Sequence, residues 1–168
     1  ANNDPAADYP GPILALDASM VIQGPSGQRV VSAKDYFVAL WETAVQPDEL
    51  LVEIRVPTTS MNANSCYEKF AQPASRYPYV GCAVAVDKSG GTCSDVRVGF
   101  SGVGHVGFRD SNVEGALKGQ ALSAASVKAA ADTATNGVDV LSDWSVSEDY
   151  RRAMSRVYAR RALTKVGL

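Results

Sequence analysis

Residues 79–86 read YVGCAVAV, eight positions without a single charge. A run this short, built of small and β-branched side chains, describes a buried strand. Such a strand needs partners, and the flanking sequence offers two. CYEKFA (66–71) precedes it across QPASRYP, an irregular loop with two prolines. CSDVRVGFSGV (93–103) follows the turn DKSGGT, with Val96, Val98 and Phe100 alternating. Connections of this length imply antiparallel pairing. A three-stranded antiparallel sheet is therefore expected in the middle of the chain.

The last third reads as helices. DSNVEGALKG starts at an Asp110/Ser111 cap and stops at Gly119. LSAASVKAAADTATNG has Ser123 as cap and Asn136-Gly137 as its stop. SVSEDYRRAMSRVYARRALTKVGL opens on a Ser145 or Ser147 cap. Its residues Tyr150, Met154, Val157, Tyr158, Leu163 and Val166 approximate one apolar stripe. The arginines, Arg151 included, largely line the rest, as a solvated face or a docking face for a partner subunit.

Upstream of the sheet, DYPGPILALDA (8–18) supports a short helix with Asp8 as its cap. SMVIQ and QRVVSA flank GPSG and read as a hairpin. SAKDYFVAL starts a helical turn at Ser32. In DELLVEIRVP, Leu51, Glu53 and Arg55 alternate with Val52, Ile54 and Val56, a strand with one wet side that Pro57 ends. The polar stretch TTSMNAN (58–64) is the expected internal boundary. The expected fold class is α+β.

The composition bounds the class. With 168 residues, 46% hydrophobic and 20% charged, the chain suits one domain or two small ones sharing a core. A net charge of -2 gives no argument for nucleic acid or an anionic membrane surface. Three widely spaced cysteines and one histidine cannot make a zinc set and read as buried thiols in a reducing compartment. No apolar run approaches the ~18 residues of a membrane span. The polar, acidic start lacks a basic signal-peptide region and an initiator Met, as in a processed chain or a fragment.

Few motifs carry chemistry. GVGHVG (102–107) fits GxGxxG, yet Phe108 and Arg109 intervene before the helix cap, and the preceding strand belongs to a hairpin. A glycine-rich strand exit explains it better than a dinucleotide site. His105 has no carboxylate beside it in sequence and reads as a surface or packing residue. Two stretches remain. In NNDPAAD, the Asn and Asp side chains suit tight turns or ligand hydroxyls. YEKFAQPASRYP places Lys69 on a strand and Tyr77 in a proline-bounded loop, a cation and a ring suited to a flat ligand.

Five segments in order, DPAADYP…ILALDA, DELLVEIRVP, YEKFAQPASRYPYVGCAVAV, DVRVGFSGVG…FRDSNVEGALKG and DYRRAMSRVYARRAL, span nearly the whole chain. Together they resemble the FAD-binding (medium) subunit of the molybdenum hydroxylases of the xanthine dehydrogenase and carbon monoxide dehydrogenase type. The resemblance implies two parts. Residues 1–57 would be the tail of a vanillyl-alcohol-oxidase-type FAD-binding region. Residues 65–168 would be a domain like the C-terminal one of the carbon monoxide dehydrogenase flavoprotein. The family's phosphate-cradling loops would then lie on another chain, be cleaved off, or fall outside the stretch in hand.

By resemblance, six residues would face or support FAD. Asn2 stands where the family often has His or Thr. Asp4 and Asp8 match the motif's acidic positions and would accept bonds from ribityl hydroxyls or order the turn that touches them. Leu51 would back the isoalloxazine ring, Lys69 would lie beside the flavin, and Tyr77 falls where some members place an aromatic residue near the ring. Gln72 and Pro73 stand where the family often has basic residues. The resemblance further implies a molybdopterin cofactor on a large subunit, [2Fe–2S] clusters on a small one, a dimer of heterotrimers and a cytoplasmic location. Electrons would pass from the clusters through FAD to an external acceptor. No catalytic or metal-binding residue is assigned to this chain. The competing reading is a scaffold that docks partner subunits without holding FAD.

Overall fold

The structure is a computed structural model that describes residues 1–59 and 64–167. Its first part opens with the helix α1 (Pro10–Ala15), the strands β1 (Ser19–Gly24) and β2 (Gly27–Ser32) and the one-turn helix α2 (Ala33–Tyr36). A small hairpin, β3 (Phe37–Ala39) and β4 (Glu42–Thr43), leads to β5 (Leu50–Arg55). The strands β1 and β2 pair antiparallel around the Gly24–Gly27 turn, as the GPSG signal implied. β5 adds to the other side of β1, giving the order β2-β1-β5. Leu14, Met20, Ile22, Ala33 and Tyr36 form the core beneath.

β5 departs from simple alternation. Val21 pairs with Glu53 while Ile22 pairs with Leu51, so Val52 is an extra residue on its strand. A bulge of this kind resets the facing of the residues beyond it. Leu51 and Ile54, on opposite faces by alternation, instead pair with Ile22 and Met20, which share one buried face. The apolar side expected to be inward is open: Val52 is 50% and Val56 39% exposed.

The second sheet has the order β6-β7-β8-β9, formed by β6 (Asn64–Ala71), β7 (Pro78–Ser89), β8 (Thr92–Ser101) and β9 (Phe108–Arg109). The three long strands expected are present and antiparallel, and the two-residue β9 extends them, pairing Phe108 with Phe100. The helices α3 (Ser111–Leu117), α4 (Ala124–Ala131) and α5 (Glu148–Gly167) complete this part. Val80, Cys82, Val84 and Val86 of β7 join Leu117, Val127, Ala159 and Leu163 in one core. The helix α1 also packs against β7 and β8. It comes closest where Gly11 meets Gly99, a place with no room for a β-carbon on residue 99.

Local signals explain most helix ends. Asp110 accepts bonds from the amides of Asn112 and Val113, and Ser123 forms a capping box with Ser126. Ser147 accepts from the Tyr150 amide at 3.3 Å. Three expectations need correction. Asp8 does not cap α1: Tyr9 holds the cap position, without a side-chain bond, and Pro10 supplies the preset first turn. α4 ends at Ala131, before Asn136-Gly137, because Thr135 takes a positive φ of 65° and gives its amide to Asp110. On α5, the buried face runs through Arg151, Ser155, Ala159, Ala162, Leu163 and Val166, while Tyr150 is 48% exposed. Small side chains let this helix lie close against β7, and Arg151 finds backbone carbonyls there. The expected linker at 58–64 falls partly on 60–63, outside the described residues. Cys66, Cys82 and Cys93 are free thiols, and burial pushes Cys82 well above its ordinary pKa.

Candidate functional site

The Asp-Pro-Ala-Ala-Asp segment is a turn held at both ends. The Asp4 carboxylate accepts from the Ala6 amide at 2.9 Å, and the Ala7 amide donates to the Asp4 carbonyl at 3.0 Å. This is the local bonding that short acidic side chains favour. The Gly102 amide donates to the Pro5 carbonyl at 2.7 Å and the Ser101 hydroxyl to the Asp8 carbonyl at 3.3 Å. The turn is thus pinned to the exit of β8. The neighbouring Asn3 has a left-handed φ of 52°, which Asn tolerates better than most residues. Its amide group donates to the carbonyls of Ala39 at 2.5 Å and Glu42 at 2.8 Å, tying the turn to the β3–β4 hairpin.

Between these anchors lies a cavity of about 320 Å³. Asn2, Asn3 and Asp4 form its polar lip. Ile13, Met20, Phe37, Leu51 and Ile54 give it an apolar floor, and the half-exposed ring of Tyr77 closes one side. Leu51 and Ile54 reach this floor together because of the bulge at Val52. Two buried polar atoms here lack a hydrogen-bond partner: Asn3 Oδ1 and the Tyr36 hydroxyl. Since only the amide NH2 can satisfy the two carbonyls, the Asn3 oxygen is the end left over. Burial also pushes the Tyr36 phenol above its ordinary pKa, so it stays protonated. A buried polar atom without a partner is costly.

The six expected residues divide in two. Asn2, Asp4, Leu51 and Tyr77 line this one cavity. Asp8 and Lys69 do not line it; they form an ion pair, with Lys69 Nζ 3.0 and 3.1 Å from the two Asp8 oxygens. Asp8 also accepts from the Tyr67 hydroxyl at 2.7 Å. The Lys69 charge is therefore balanced within the protein. Sequence reading singled out Asn3 only as part of the NNDPAAD stretch and missed Tyr36 and Tyr67. The i, i+2 spacing of Tyr67 and Lys69 on β6 was a usable signal, because strand alternation puts both on one face. Nothing local marked Tyr36, which packs against residues across the fold. His105 lies 3.6 Å from Asp139, on the surface and away from the cavity. Among the described residues no cluster of His, Cys, Asp and Glu could hold a metal ion, and no helix is long and apolar enough to cross a membrane.

Residues 1–59 match the FAD binding domain in molybdopterin dehydrogenase, and residues 65–166 match the CO dehydrogenase flavoprotein C-terminal domain. The chain belongs to the family of FAD-binding medium subunits of the xanthine dehydrogenase and carbon monoxide dehydrogenase group. The carbon monoxide dehydrogenase medium chain of Hydrogenophaga pseudoflava is 33% identical to it over 97% of this chain and 57% of that relative. The glyceraldehyde dehydrogenase medium chain of Sulfolobus acidocaldarius is 30% identical over 99% of this chain and 59% of its own length. A solved carbon monoxide dehydrogenase structure from Hydrogenophaga pseudoflava superposes with a TM-score of 0.92, at 34% identity, covering 98% of this chain and 57% of that one. Quinoline 2-oxidoreductase from Pseudomonas putida 86 superposes at 0.90 with 25% identity, covering 99% of this chain and 58% of that one. The chain thus spans little more than half the length of these relatives.

Proposed function

We propose that the cavity beneath the Asp4–Asp8 turn is one wall of an FAD site in a multi-subunit molybdenum hydroxylase. The carrying observation is the convergence of Asn2, Asp4, Leu51 and Tyr77, distant in sequence, on a single cavity. The donor set fits the cofactor. An apolar floor suits a flat ring, and a polar lip with an unpartnered Asn3 oxygen suits a chain of hydroxyls. Bound there, FAD would supply the capacity to take up electrons and pass them to an external acceptor.

The chain's own residues bind and orient. Leu51 backs the ring, Tyr77 covers its side, and Asp4 orders the turn through the Ala6 amide. Asp8 supports that turn from behind through Tyr67 and Lys69. We assign residues 1–57 to the tail of the FAD-binding domain and 65–168 to the C-terminal domain of the subunit. Partners are the segment carrying the phosphate loops, a large molybdopterin subunit and a small [2Fe–2S] subunit, arranged as a dimer of heterotrimers in the cytoplasm.

The test is the absorption spectrum of the purified chain alone and with its co-purifying subunits. Flavin bands in the complex support the proposal, and their absence from both samples overturns it. Within a flavin-bearing complex, Lys69→Ala is expected to lower electron delivery to the acceptor while single-turnover hydroxylation at molybdenum stays unchanged. Equal loss in both assays would contradict that role for Lys69.

A further inference from the structure

Asp8 is held by its side chain, and its shortest contact is to the Tyr67 hydroxyl. Tyr67 and Lys69 project from the same face of β6 toward the N-terminal turn. The Tyr67 hydroxyl donates to Asp8 Oδ1 at 2.7 Å, and Lys69 bridges both oxygens. On the neighbouring strand Gly81 leaves the space that the Tyr67 ring occupies: a β-carbon there would overlap the ring and its hydroxyl. Three elements, the turn, β6 and β7, are thus fitted to one hydrogen bond.

We infer that Tyr67 is a positioning residue for the flavin wall: through Asp8 it sets where the cavity-lining turn Asp4–Asp8 lies. This role rests on the flavin reading of the cavity. The turn's anchors are the reason. The backbone bonds from Gly102 to Pro5 and from Ser101 to Asp8 tie the turn to the β8 exit. Asn3 ties the leading end of the turn to the β3–β4 hairpin, while Tyr67 and Lys69 hold its trailing end, Asp8, to β6. Of these, Tyr67 gives the shortest contact to Asp8, and Gly81 leaves room for it. Burial, then the Asp8 carboxylate, push the phenol far above its ordinary pKa. It therefore remains a donor at every working pH. An ionised carboxylate offers about four acceptor sites. The Tyr67 and Lys69 bonds consume part of that capacity, so the role of Asp8 is as much to hold the turn as to meet a ligand.

The test uses the complete flavin-bearing complex. Tyr67→Phe removes one hydrogen bond to a charged group while keeping the ring, and is expected to speed FAD release about tenfold. It is also expected to alter the visible circular dichroism of the bound flavin, a signature that stability alone does not move. Gly81→Ala pushes the hydroxyl off Asp8 with all three polar groups retained, and should act in the same direction. In an Asp8→Ala background, which removes the acceptor, Tyr67→Phe should add nothing to the release rate. A Tyr67→Phe complex with wild-type release rate and flavin dichroism, or effects that simply add in the double variant, would overturn the inference while leaving the flavin reading intact. A wild-type complex without flavin would overturn both.

Discussion

Arg151 carries a charge into the interior and survives there because four oxygens surround it. Its guanidinium donates to the carbonyls of Tyr79 and Gly102 at 2.6 Å, to that of Leu141 at 3.0 Å and to the Asp143 carboxylate at 2.8 Å. Truncation would leave three carbonyls without their charged donor, whereas the half-exposed Asp143 keeps its bonds from Ser145 and Val146. Arg151→Ala is expected to destabilise the fold by about 2–4 kcal/mol, because buried carbonyls lose a charged donor; the urea midpoint checks it. Glu49 shows a contrasting case, a half-buried carboxylate paired with a surface arginine. Hydrogen bonding from Arg29, aided by the Gln46 amide, lowers its pKa to about 2. An unfolded Glu titrates near ~4.3. The folded state therefore favours the ionised form: the stabilisation is complete above that unfolded value and fades as pH falls toward 2. Carboxyl NMR titration should find Glu49 near 2 and, in Arg29→Gln, higher but still below the ordinary value, because the Gln46 amide bond remains.

At the scale of elements, the decisive contact is helix α1 on strand β8. A β-carbon on Gly99 would overlap the Gly11 carbonyl, and both neighbours are backbone. Gly99→Ala should therefore shift α1 off the sheet and cost about 1–3 kcal/mol, the range for overpacking a tight contact. Unfolding midpoints measure the cost, and amide exchange along 10–16 should show the shift. Element ends were largely legible in the sequence, because caps and turns are bonds between near neighbours: Asp110, Ser123 and the GPSG turn needed no tertiary context. The α5 face was not. A stripe read from side-chain hydrophobicity favoured Tyr150, whereas close approach to β7 selected Ser155, Ala159 and Ala162 and brought in Arg151. The β5 bulge was likewise invisible, since an extra residue on one strand is defined only by its partner.

For the molecule as a whole, the notable surface is the outer strand β5. Leu50, Val52 and Ile54 of β5 are 70, 50 and 45% exposed, Val56 just beyond it is 39% exposed, and the strand ends its sheet. Exposed apolar edges associate. The 168-residue chain by itself is expected to self-associate with rising concentration, and Val52→Lys to reduce this without moving the unfolding midpoint. Light scattering coupled to gel filtration reports the association, and a urea titration the midpoint.

The sequence by itself determined the long strands and helices, the caps at Asp110 and Ser123, the GPSG turn and, through five segments in register, the family. Those features depend on periodicity and on bonds spanning a few residues, which the chain order preserves. The tertiary structure alone decided the site. It joined Asn2, Asp4, Leu51 and Tyr77 around one cavity, turned Asp8 from a helix cap into the partner of Tyr67 and Lys69, and left the Asn3 oxygen buried without a partner. Each of these depends on which residues meet across tens of positions of chain, and only packing sets that.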